Sequence, residues 1–198
     1  MHTSIPLYTA GTSTSPNDND HYFVRLPALL SGVRCYTDAS TSPDLHSNTY
    51  RNAGIGIFII NNQIHPVQTI YIKAIMKATT SVLMAEAAAL ALATTIRLQQ
   101  VSFLSDNQEL VHFLNGPDQA DPPNWRIKYY AQTFTIFSTT SENRVFKIQR
   151  AQNYTADALA RQSFFQSQSS SPTVLICTCS NMQHMFSALF EKHFSLLL

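Results

Sequence analysis

Short β-branched or alternating stretches fill the first third of the chain, and longer Ala- and Leu-rich stretches of helical period follow them. Val33 to Asp38 reads as a first strand, followed by a Ser/Thr/Pro/Asn loop over Ala39 to Asn52. Ala53 to Ile60 reads as a second strand, whose Gly54 and Gly56 signal a close backbone approach or a bulge. Asn61-Asn62 marks a tight turn, and Thr69 to Lys73 alternates as a third strand of the same antiparallel meander. Thr79 to Gln100 is the strongest helix. Val101 to Ser105 is a short apolar strand, Asn107 to Asn115 a helix stopped by Gly116-Pro117, and Trp125 to Thr139 a further helix. Arg144 to Arg150 alternates as a fifth strand, and Thr155 to about Gln166 is a closing helix. This order predicts an α/β domain with a five-stranded mixed sheet, antiparallel in its first three strands, flanked by helices.

The ends read differently. Met1 to about Asp20 is rich in Thr, Ser, Pro, Asn and Asp and is expected to be disordered. Tyr22 to Leu30 reads as an extended lead-in. After the last helix, SQSSSP reads as a linker, and the apolar stretch from Thr173 to Leu198 matches no single element. The expected division is a lead-in over residues 1–31, one domain over 32–168, and a linker and tail over 169–198.

Composition narrows the class. With 44% hydrophobic and 13% charged residues, a chain of 198 residues can bury one core of ordinary size. A formal net charge of +1 and a pI near 7.8 give no basic signature, so nucleic-acid binding would have to rest on local patches. Cys35, Cys177 and Cys179 make no paired framework and suit reduced thiols; with His184 they fall short of four zinc ligands at recognisable spacing. The first residues carry no basic start and no apolar core of a signal peptide, and the longest apolar stretch is broken by Glu86. The expectation is an intracellular protein, nuclear or cytoplasmic, neither secreted nor membrane-spanning, acting as a monomer.

Four of the twelve acidic residues stand at or within apolar runs: Asp38 in VRCYTDAS, Glu86 in SVLMAEAAALALA, Asp106 in VSFLSDNQEL and Asp157 in NYTADALARQ. Taken singly, each has a structural role available. Asp38 suits a turn, Asp106 a capping box with Glu109, Asp157 the dipole of the helix it opens, and Glu86 a snorkel to solvent. On a helical wheel Glu86 shares a stripe with Val82, Leu83, Ala89, Leu90 and Ala93, facing the sheet, with Ala88, Ala91, Thr95 and Gln99 opposite. Taken together, with the first and fourth strands adjacent, the four carboxylates converge. Desolvated carboxylates repel one another, and a hard cation such as Mg2+ or Mn2+ is the partner that resolves the conflict. Two such ions would suit in-line displacement at phosphorus.

Over about Gly32 to Gln168 these motifs resemble the type 1 ribonuclease H family. YTDAS is similar to its first-strand Asp motif, MAEAAAL to its helical Glu motif, LSDNQELV to its central Asp motif and NYTADALAR to its closing motif. The wording is most similar to plant proteins related to the ribonuclease H domain of non-LTR retroelements, which share the lead-in segment and an Arg before the final motif, here Arg150. The resemblance implies an RNase H-like fold and metal-dependent endonucleolytic cleavage of the RNA strand of an RNA–DNA hybrid, leaving a 3′ hydroxyl and a 5′ phosphate. It implies two Mg2+ or Mn2+ ions, bound with substrate and held by Asp38, Glu86, Asp106 and Asp157. It also implies substrate contacts through Ala39, Ser40, Gln108 and Asn153, the last also ordering its loop.

Three departures bear on turnover. Arg150 to Thr155 leaves no room for the longer loop on which many relatives carry a His. No extra basic helix precedes Trp125. Val82-Leu83-Met84 replaces a polar patch, leaving Thr80 and Ser81. A catalytically silent, domesticated module that binds nucleic acid or protein is therefore the alternative. Arg126, Lys128, Tyr129 and Tyr130, with Arg144, Lys147 and Arg150, form the best candidate basic face, against the plain alternative of a solvated helix surface.

Overall fold

Val33–Ser40 forms the central strand, β1, flanked by an antiparallel partner on one side and a parallel partner on the other. The computed structural model describes residues 30, 32–41, 51–63, 67–98, 100–116, 122–138, 144–168 and 194–196. After β1 come β2 (Arg51–Asn61), β3 (Gln68–Thr79), helix α1 (Val82–Thr94), β4 (Val101–Ser105) and α2 (Gln108–Asn115). A 3-10 turn (Trp125–Ile127) leads into α3 (Lys128–Ser138), then β5 (Arg144–Lys147). A second 3-10 turn (Arg150–Asn153) runs into α4 (Tyr154–Gln168), and β6 (Phe194–Leu196) follows. The sheet order is β5-β4-β1-β2-β3-β6, parallel between β5, β4 and β1 and antiparallel across the rest.

The expected five-stranded mixed sheet is present, and β6 adds a sixth strand at the β3 edge, on a tail the sequence left unplaced. β3 is longer than its alternating stretch, because Ala74, Ile75 and Met76 are buried and its pairing with β2 continues to Thr79. Helix α1 consequently starts at Val82, where the Ser81 hydroxyl accepts the Met84 N–H at 3.1 Å as its cap. It also stops short of Gln100. Thr94 and Thr95 donate back to the Ala91 and Leu92 carbonyls, and Arg97 then adopts a left-handed φ of 54°. The lead-in before Leu30 and residues 169–193, with Cys177, Cys179 and His184, lie outside the described residues.

One face of the sheet carries α1, and the two-sided wheel drawn for that helix does not hold. Ala85 to Thr94 are all buried, Ala88 and Ala91 included, because α3 also packs against α1, with its Phe134 edge-on to Phe103 of β4. Small alanines let the helix be enclosed between the sheet and α3, with Ile55, Ile57, Ile59 and Phe103 buried in the same core. Each such large side chain contributes roughly 1.5–3 kcal/mol.

The other face carries α4, seated directly on β2. A Cβ on Gly54 would overlap the Ala160 carbonyl, and one on Gly56 the Ala156 carbonyl. The glycines therefore mark a close backbone approach. Gly56 pairs across the ladder with Asp38, so the missing side chain draws the first turn of α4 toward that carboxylate.

Candidate metal centre

The β1–β4 register pairs Val33 with Val101 and continues to Tyr36 with Leu104. The same offset carried two residues further sets Asp38 alongside Asp106, where both strands reach their C-terminal ends. Glu86 comes from the second turn of α1, which packs on β1. One ligand oxygen from each of Asp38, Glu86 and Asp106 lies within 4.8 Å of the others.

The structural roles open to these residues are filled by others or denied. Asp38 lies within β1 at 6% exposure, and Glu86 is buried at 5%, so neither makes a surface turn nor reaches solvent. Asn107, not Asp106, caps α2: its Oδ1 accepts the Leu110 N–H at 3.0 Å. Asp106 is left to face the cluster, with Asn153 Nδ2 donating to its Oδ1 at 3.3 Å.

Asp157 stands apart from the three. Its carboxylate is held by Arg161, Nη2 to Oδ2 at 2.5 Å and Nε donating to Oδ1 at 3.2 Å, with Arg150 at 3.7 Å. Its charge still reaches the cluster and raises the Asp38 pKa.

Burial pushes the Asp38 carboxyl up from 3.8 to about 7; a hydrogen bond with Glu86 opposes the rise, and the charge of Asp106 adds to it. Glu86 is held well above its ordinary value, by burial first and then by the charge of Asp38. The Ala39 N–H donates to both. Both shifts favour the protonated forms, as expected of two carboxyls placed together in a dry site.

The donors fit a hard divalent ion. All are carboxylate oxygens, and Glu86 Oε2 is buried with no hydrogen-bond partner. An acceptor left in that state costs about 1–3 kcal/mol or more, which coordination would remove.

The remaining expected residues are placed as follows. Ser40 ends β1, half-buried, and Gln108 is exposed at the start of α2. Asn153 is fully buried: its amide donates to Thr37 O at 2.9 Å as well as to Asp106. It orders the loop from beneath and offers no surface to a substrate. The basic face divides. Arg126 and Lys128 are exposed, Tyr130 is buried, and Lys147 turns inward. The Ser81 and Thr80 hydroxyls are engaged at the helix start, Thr80 donating to Met84 Sδ at 3.6 Å.

Lys147, expected on a basic face, has a role at the strand ends that the sequence did not show. Its Nζ donates to the carbonyls of Asp106 at 2.6 Å and Ile148 at 2.8 Å. An alternating strand places a lysine on one face of the sheet, and nothing in the pattern says it will fold back over the strand end.

A family model described as reverse transcriptase-like matches residues 45–163, a stretch that includes Glu86, Asp106 and Asp157 and begins after Asp38. No curated protein matches the chain at a significant level. Among solved structures, RNase H1 from the halophilic archaeon Halobacterium salinarum is similar at 20% identity, with a TM-score of 0.52 over 68% of this chain and 98% of that one. The N-terminal RNase H domain of a Mycobacterium tuberculosis protein is similar at 18% identity and a TM-score of 0.53, over 70% and 96%. The prototype foamy virus RNase H domain is similar at 18% identity and a TM-score of 0.53, over 70% and 98%.

Proposed function

From the premise that the chain belongs to the reverse transcriptase-like family and has an RNase H-like fold, we propose that it is a metal-dependent endonuclease hydrolysing the RNA strand of RNA–DNA hybrids. One observation carries the reading: Asp38, Glu86 and Asp106 converge within 4.8 Å, leaving a buried Glu86 oxygen without a partner. These three would hold Mg2+ or Mn2+, and Asp157 would join them for a second ion once released from Arg161. Bound there, the ions supply Lewis-acid stabilisation of charge on the phosphate and a water of lowered pKa.

The chain's own residues prepare the site. Asn153 and the Ala39 N–H fix the carboxylates from below, and Asp38 and Glu86, both held above their ordinary pKa, would release protons on binding a cation. Ser40, at the end of β1, and Gln108, at the start of α2, would meet the RNA sugar, whose 2′ hydroxyl distinguishes it from DNA. The chain would act as a monomer, since one copy by itself brings the three acids together. Cys35, a buried free thiol, suits a reducing intracellular setting, nuclear or cytoplasmic. The motif wording supports a plant origin related to retroelements. Among the described residues no helix is long and apolar enough to cross a membrane.

Two observations favour the second reading, a silent hybrid-binding module. Asp157 is engaged by two arginines, and the turn Arg150–Asn153 enters α4 directly, without a loop for a His. Incubating the purified chain with an RNA–DNA hybrid separates the two. The expected result is RNA-strand cleavage with Mg2+ or Mn2+, lost in chelator and in Asp106→Asn. A folded wild type that retains the hybrid yet cleaves with neither ion selects the silent module.

A further inference from the structure

We infer that Lys147 is a positioning residue of the acid cluster, holding Asp106 in place through its backbone; the inference rests on the metal-site reading above. The parallel ladder between β4 and β5 ends with Ser105 opposite Lys147, and the Ile148 N–H donates to Ser105 O at 3.0 Å as its last rung. Beyond that rung β5 turns away into the 3-10 turn Arg150–Asn153. The Asp106 and Ile148 carbonyls lie past the end of the ladder, on opposite strands. One ammonium serves both, at 2.6 and 2.8 Å, taking the place of the backbone donors the sheet no longer supplies. The staple closes at the level where the Asp106 side chain leaves β4 for the cluster.

The same device appears one strand over. The β1–β4 pairing ends at Tyr36 with Leu104, and Asn153 Nδ2 then bridges Thr37 O and Asp106 Oδ1. Asp106 is thus fixed twice, by its carbonyl from β5 and by its carboxylate from the turn that follows β5. The two fixings are complementary, because a carboxylate swings about its backbone unless that backbone is held as well. Lys147 is partly desolvated, and burial lowers its pKa while the nearby Asp106 charge opposes the change. Its ammonium is committed to two carbonyls, unlike that of a lysine on a solvated face.

Residues that orient metal ligands without touching the metal typically contribute 10–100-fold to affinity. Lys147→Met keeps the stem and removes the donors; Lys147→Arg keeps donors and charge. Mn2+ binding to the full chain, followed by electron paramagnetic resonance, is expected to weaken about 10-fold in Lys147→Met and to recover largely in Lys147→Arg. Circular dichroism checks folding, and Lys147→Leu, likewise without donors, substitutes with the same expected loss if the Met variant does not fold. In an Asp106→Asn background the Lys147→Met loss should largely vanish, because Lys147 acts through Asp106; a merely structural residue would show an additive loss. Unaltered Mn2+ affinity in folded Lys147→Met, or full additivity with Asp106→Asn, overturns the role of Lys147 alone. Absence of Mn2+ binding by the wild type overturns the metal-site reading itself and this role with it.

Discussion

Glu86 shows most clearly how a single side chain can be misplaced energetically and yet belong. It is 95% covered by protein, its Oε2 has no hydrogen-bond partner, and its neighbour Asp38 is another carboxyl. Asp106 differs, being half-buried and relieved of capping duty by Asn107. Asn107→Ala should therefore cost about 1 kcal/mol of stability in urea unfolding, the usual value of a lost N-cap, while leaving Mn2+ affinity nearly unchanged. A large loss of metal binding in that variant would mean that cap and ligand are not separate functions. Asp157 is where the sequence reading and the structure diverge most. Its place in the first turn and an i,i+4 pairing with Arg161 were open to the sequence; that this pairing, with Arg150, would hold it apart from the other acids was not.

At the scale of elements, the two glycines of β2 decide where α4 lies and so how near Asp157 comes to Asp38. Gly56→Val would drive a branched side chain into the Ala156 carbonyl and the Ala160 backbone. Backbone cannot give way as a flexible side chain does, so the variant should lose about 3 kcal/mol or more in urea unfolding, at the upper end of overpacking effects. A loss under about 1 kcal/mol would show that α4 can shift on the sheet. The strands were largely legible because their alternation and β-branched content act locally. The ends of α1 were not. β3 extends to Thr79 because its partner β2 does, and the helix ends where two threonines bond back to the preceding turn. The all-round burial of α1 was hidden for the same reason: alanine reads alike on a buried face and an exposed one.

For the whole molecule, the acid cluster links stability to pH and, on the metal-site reading, to cations. The Asp38 carboxyl has a folded pKa of about 7 against 3.8, so its neutral form is favoured by folding. The stability it contributes is present below about pH 4 and is lost as the pH rises through about 7. In metal-free protein, Asp38→Asn, which never ionises, should therefore gain in Tm relative to wild type between pH 5 and pH 8, by about 5 °C or more. At pH 8, Mn2+ should raise the Tm of wild type and leave that of Asp38→Asn much less changed. A parallel Tm profile for the two proteins across that range would remove Asp38 from the linkage. By itself the sequence determined the strands, the helices, their order and the four acids, because period, propensity and residue type are carried by near neighbours. The tertiary structure decided which acids meet, how deeply they are buried, and that Lys147 folds back to the Asp106 and Ile148 carbonyls at the strand ends. Those outcomes depend on register, desolvation and the end of a ladder, which exist only once distant segments have paired.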